Sequence, residues 1–340
     1  MFRAFTIITI VMAHMMICFG IGAEGKSGVD SDSIIFKSIS GIIAGNSAFF
    51  VFISGFLFYY VFYLRGFQFG RFIAGKARNV LMPYVITILA FIAFNLIYSA
   101  ISGENLTWGT MTDFIRQTFM YHAFWYIPFI MLTFALSDLH IMFIQQSFRT
   151  QVILIAVLTV VAMVLGRNNN NLLQSVFYFT PSYLFGITCA MNYERIENIK
   201  RKTWILLISI WLILIFVCSY TDNYIDAYKT AASIWPLSFA VPMKMLSCFI
   251  FLHLFRLLSS LSCSWLDKTM SFIAEFSFSI YFYHVFFVKI FYGFHIKGDT
   301  ITMACYSGLL VTPAVIAVCL LISWSLKKLI GKNSKMYIGS

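Results

Sequence analysis

The chain has 340 residues, 60% of them hydrophobic and 11% charged, with a mean hydropathy of +0.85 and a formal net charge of +11. So few charges cannot cover the surface of a soluble protein of this size, and the composition instead fits an all-α, polytopic bundle of membrane-spanning helices. The basic excess has to be read against membrane topology first, and no nucleic-acid partner is inferred from it.

Apolar runs of about 17–25 residues mark spanning helices. They predict ten of them, near 3–22, 34–63, 79–101, 120–145, 151–166, 171–192, 203–220, 236–257, 271–293 and 301–326. The first opens with FRAFTIITIVMAH, which sets Arg3 and His14 eleven residues apart. Eleven residues make three helical turns plus about 20° and rise about 16 Å, so the two share a face and His14 lies near mid-bilayer. No A-x-A-like cleavage site follows, so the segment reads as a span and not as a signal peptide. The second and fourth runs are long enough to tilt or to hold a re-entrant turn. Asn105-Leu106-Thr107 after the third span is a lone glycosylation sequon, and Asn168–Asn171 after the fifth is a polar turn. No loop has room for a soluble module, so residues 1–326 read as one transmembrane domain and 327–340 as a basic cytoplasmic tail.

Charge sets the orientation. With both termini cytoplasmic, the inner loops hold Arg65, Arg71, Lys76, Arg78, Arg149, Arg195, Lys200, Arg201, Lys202, Arg256 and Lys268, and the tail adds Lys327, Lys328, Lys332 and Lys335. The outer loops instead collect Glu24, Asp30, Asp32, Glu104, Asp113, Asp222, Asp226 and Asp299. This is the distribution that the positive-inside rule expects. The seven cysteines lie in or beside apolar runs without metal-ligand spacing, so they read as packing residues; no metal site is expected.

Ionisable groups at bilayer depth are costly enough to count as functional candidates. Asp138, Lys244 and Lys289 fall toward span ends, where snorkelling accounts for them. Glu275 sits about one turn inside the ninth span, within reach of a basic loop residue. His14 and His284 lie near mid-span, and neither has an acidic ladder of the kind a proton pump needs. A neutral imidazole at mid-membrane suits general-base work, joining a donor from one side to an acceptor from the other.

Several motifs resemble the acyltransferase family 3 membrane proteins, in order along most of the chain. They are the Arg3…His14 pair, FFVFISGFLF at 49–58 around Ser54-Gly55, KARNVLMPY at 76–84, FWYIPFI at 124–130, YLFGITCA at 183–190 and SFSIYFYH at 277–284. The resemblance implies a short, membrane-only O-acyltransferase of the bacterial cytoplasmic (inner) membrane, with an O-acetyltransferase the expected case. The donor is then cytoplasmic acyl-CoA, typically acetyl-CoA, and no permanently bound cofactor is implied. The acceptor is a hydroxyl of a cell-surface or lipid-linked glycan. Two features depart from the pattern. Only Met1 and Phe2 precede Arg3, and the family's Arg-x-x-Arg before Pro-Tyr falls here on Lys76 and Asn79, with Arg78 adjacent.

The resemblance gives His14 the role of base, and it gives Arg3, Arg71, Lys76 and Arg78 the phosphates of acyl-CoA. Ser54, Trp125, Tyr126, Glu275, Tyr281 and His284 are the pocket candidates. Ser54 is expected to bond its own helix or a neighbour, Trp125 and Tyr126 to wall the pocket or simply to pack at the interface, and His284 to orient a partner or to be structural. The rival class is a lipid-linked glycan polymerase, flippase or other transporter, against which stand the short loops and the absence of repeated halves.

Overall fold

The computed structural model describes residues 1–19, 34–101, 112, 124–167, 171–221, 237–261, 264–292, 302–303 and 306–340. The elements are α1 (Phe2–Cys18), α2 (Ile34–Ile43), α3 (Ser47–Leu57), α4 (Phe69–Lys76), α5 (Met82–Ile101), α6 (Tyr126–Ala135), α7 (Ser137–Ile144), α8 (Phe148–Leu165) and α9 (Leu172–Met191). They continue with α10 (Arg201–Tyr220), α11 (Ala240–Ser260), α12 (Ser264–Tyr292), α13 (Thr312–Ile330) and α14 (Ser334–Ile338). No strand occurs among the described residues. Seven helical stretches there are long and apolar enough to cross a membrane, and the pair α6–α7, bent by 58°, makes an eighth. The protein is a polytopic helical membrane bundle.

The other two of the ten expected spans are α1, which is only 17 residues long, and α9. Both are inner helices. α9 buries Ser175, Ser182, Tyr183 and Thr188 together with its apolar residues, so it can carry more polar atoms than a lipid-facing helix can. It packs along α3, where an added Cβ on Gly55 would strike the Tyr183 carbonyl oxygen and one on Gly186 would strike that of Phe52. Two helices in backbone contact need a residue without a side chain at each crossing point. The glycines of the SGF and YLFG segments meet here.

The expected second span is broken between α2 and α3. Lys244 of α11 is 2% exposed, and its ammonium donates to the carbonyls of Gly41 and Ala44 and to Asn46 Oδ1. Asn46 Nδ2 in turn donates to Thr9 Oγ1 at 3.0 Å and to Ile42 O at 3.0 Å. The lysine therefore caps the carbonyl end of α2 and does not snorkel to a span end. A cation at that end is favoured by the helix dipole, and orphan carbonyls in lipid need a donor.

Next to this network, on the side toward the start of α1, Phe2 and Phe5 pack among Phe49, Phe251 and Phe255, with Phe5 and Phe251 4.8 Å apart and the Phe49 ring 5.9 Å from the Lys244 ammonium. That cluster holds the first turn of α1, and so Arg3, against α3 and α11. The hydroxyl of Thr6 donates back to Phe2 O at 2.9 Å, which satisfies it within its own helix. α1 also runs beside α12, whose 29 residues span about 43 Å, more than the apolar core is thick. After α13 the chain reverses at Gly331 (φ 67) and folds back through α14 onto α5. The sequon at 105–107, Asn168–Asn170, Cys263 and Cys305 lie outside the described residues.

Candidate active site

α1 and α12 bring His14 and His284 together across 270 positions of sequence, with His14 Nδ1 2.8 Å from His284 Nε2. The ring planes differ by 3° and the centroids lie 5.0 Å apart. That separation is close to the N···N contact plus the two ring radii, so the imidazoles lie end to end in one plane and not face to face. The N–H of one ring therefore points at the lone pair of the other.

The tautomers follow from the next partner. His284 Nδ1 is 3.1 Å from Ile280 O, and a carbonyl only accepts, so His284 carries its proton on Nδ1. Its Nε2 is then a lone pair, and His14 Nδ1–H donates to it. A neutral His14 consequently exposes its lone pair at Nε2. This assigns the protons from the hydrogen-bond network, and it needs no carboxylate: a backbone carbonyl fixes the chain of two imidazoles. His284 is wholly buried, whereas His14 retains some accessible surface.

Below the histidines, toward the end that holds Arg3, lies a cavity of about 310 Å³. Arg3, Arg71 and Lys76 all line it, as do Ser54, Tyr126 and Tyr281. Lys76 Nζ is held over the rings of Phe134 at 4.3 Å, Phe62 at 4.7 Å and Phe72 at 5.3 Å. Aromatic faces attract a cation without cancelling its charge. No acidic residue lines the cavity among the described residues. Arg78 is exposed and does not line it, while Asn79 does, so the cavity receives positions 76 and 79 of the basic segment.

His14 and His284 do not line the cavity. Tyr281 stands between, with its ring 5.9 Å from His284 and 5.9 Å from Tyr126. Ser54 Oγ lies 3.4 Å from Tyr126 OH, which makes it a polar neighbour of that aromatic layer. One layer of tyrosine thus separates a cationic chamber from the histidine pair.

Two pocket candidates lie elsewhere. Trp125 is buried against Phe179, with the Arg167 guanidinium 4.2 Å from its ring, and it does not line the cavity. Glu275 is exposed and pairs with Lys327 at 2.5 Å. The basic loop partner expected for it is instead a lysine of the last long helix. Sequence reading passed over Lys335 and Gly339, which also line the cavity, and the buried Arg167. Arg167 follows Gly166 (φ 61) and precedes the asparagine run, so a lone cation closing an apolar helix was its only signal. Among the described residues no three His, Cys, Asp or Glu side chains are grouped to hold a metal ion.

Fold and site together define a membrane-embedded helical protein with a fixed imidazole pair set above a cationic chamber. Over residues 1–328 the sequence matches the acyltransferase domain of acyltransferase family 3, and the chain belongs to that family. It is a membrane acyltransferase. No curated protein and no solved structure matches it significantly.

Proposed function

We propose that the protein is an O-acyltransferase that moves an acyl group, in the simplest case acetyl, from cytoplasmic acyl-CoA to a hydroxyl of a cell-surface or lipid-linked glycan. In this reading it is a multi-pass protein of the bacterial cytoplasmic membrane. The observation that carries it is the pairing of a tautomer-fixed base with a separate cavity lined by cations and no carboxylate.

The phosphates of the donor bind Arg3, Arg71 and Lys76, and the pantetheine arm passes the Tyr126–Tyr281 layer toward His14. Arginine grips phosphate through its planar fork and lysine as a point charge. The acceptor hydroxyl approaches the accessible side of His14, away from the cavity. His14 Nε2 takes the hydroxyl proton as the oxygen attacks the thioester carbon. The tetrahedral intermediate collapses, the C–S bond breaks, and the thiolate leaves with the proton returned by His14. Ester and free CoA are the products, and the imidazole ends as it began. His284 acts as a positioning residue, holding the Nδ1 proton of His14 so that Nε2 faces the reactants.

The test compares glycans made in cells expressing wild type or His14→Ala at equal levels. Loss of an acyl mass increment at unchanged polymer length supports the transferase. Fully acylated glycans in the variant, or a change in chain length alone, overturn it and favour a polymerase or transporter.

A further inference from the structure

The cationic cavity is not closed by the bundle alone. Lys335 and Gly339, both beyond the matched residues 1–328, line it together with Arg3, Arg71 and Lys76. The segment that carries them is held at several points. α14 packs on α5 and on the helical turn 77–81. Ser279 Oγ lies 2.6 Å from Ile338 O and 2.6 Å from Ser340 Oγ, so it donates to the carbonyl and accepts from the hydroxyl.

Gly339 is the tightest of these points. Its backbone is left-handed (φ 78), and a Cβ there would come within 2.6 Å of the Phe278 ring. Any other residue would meet both backbone strain and a clash. A freely solvated basic tail has no need of such a fit. The fit seats Lys335 as a fourth cation on a chamber that has no acidic lining residue among those described. Arg71 and Lys335 are exposed, and four cations on the lining of one cavity make a field that attracts an anion.

We propose that residues 331–340 are a strap that completes an anion site, with Lys335 binding the phosphate groups at the nucleotide end of the donor. The identity of that donor rests on the acyl-CoA reading above; the anion site itself does not. The strap fixes Lys335 through Ser279 and Gly339, and Lys335 contributes one charge-assisted contact to a phosphate oxygen. Losing one such contact costs about tenfold in affinity.

The experiment titrates the detergent-solubilised full chain with CoA and, separately, with inorganic pyrophosphate, following bound ligand by calorimetry. Lys335→Gln is expected to weaken CoA about tenfold. Lys335→Arg is expected to stay within about threefold of wild type, and Lys332→Gln, as exposed as Lys335 but off the cavity lining, within about twofold. Equal thermal unfolding of all four proteins shows that the fold is kept. If CoA binds wild type and Lys335→Gln equally well, the strap proposal is overturned while the donor reading stands. If wild type binds pyrophosphate but not CoA, and Lys335→Gln weakens it, the donor reading fails and the anion site stands. Binding of neither probe by wild type, or the same dissociation constants in Lys335→Gln for every probe that binds, overturns the strap.

Discussion

The histidine pair and the cationic cavity lie next to each other and are organised in opposite ways. The pair is complete without a ligand: each proton has an assigned place, and the last acceptor is a backbone carbonyl, Ile280 O. The cavity gathers charge of one sign: four cations and no acidic residue line it among the described residues, and Lys76 rests in an aromatic cage. A base needs a fixed geometry before its substrate arrives, so its hydrogen bonds are satisfied within the protein. On the proposed function the cavity is a phosphate site, which needs unspent charge, so its attraction is kept for the incoming anion. If the proposed function holds, chemistry and affinity are separable here, and mutations divide accordingly.

The largest expected effect is at the base. His14→Ala should lower kcat about 10²–10⁴-fold, the range for a lost general base, with donor affinity changed less than about threefold. An equal loss of CoA binding would break the contrast by making His14 part of the donor site. Next comes His284→Ala, which leaves His14 free to take either tautomer. It should lower kcat about 10–10²-fold at nearly constant donor KM, and His284→Gln, whose amide oxygen can accept the same proton, should recover part of it. A wild-type rate in His284→Ala would make the pair structural only.

A smaller effect falls on the cavity. Lys76→Gln should raise the donor KM about tenfold and spare kcat, whereas Arg78→Gln, outside the lining, should change it less than about twofold. The opposite ranking, measured as CoA release at varied donor concentration, would move the phosphate site to the exposed surface. The smallest effect is expected of Glu275→Gln. Its pair with Lys327 is solvent-exposed, and such pairs contribute about 0–1 kcal/mol, so turnover should stay within about twofold. A larger loss would extend the site beyond both regions compared here.

Much of the architecture was legible because lipid imposes simple demands on sequence. Apolar length marks most of the long helices, and the 3.6-residue period alone puts Arg3 and His14 on one face of α1. Gly55 and Gly186 were legible as motif positions, but their mutual closeness was not. The second and fourth runs were legible as long enough to hold a turn, and the break at 44–46 and the bend at Leu136 fall in them beside Gly45-Asn46-Ser47 and Ser137-Asp138, but where and how sharply each turns was not.

The sequence by itself determined the class of protein and the two ends of the Arg3–His14 face, because each of these follows from composition or from the period of a single helix. Tertiary structure alone decided the partners. It set His284 on His14 from 270 residues away, buried Lys244 on the carbonyl end of α2, paired Glu275 with Lys327, kept Trp125 and Arg78 off the cavity, and brought Lys335 to it. Helical periodicity says which side chains share a face, but which faces meet depends on close backbone approach and on satisfying every polar atom in a medium without water. Those conditions belong to the packed bundle and not to any one segment.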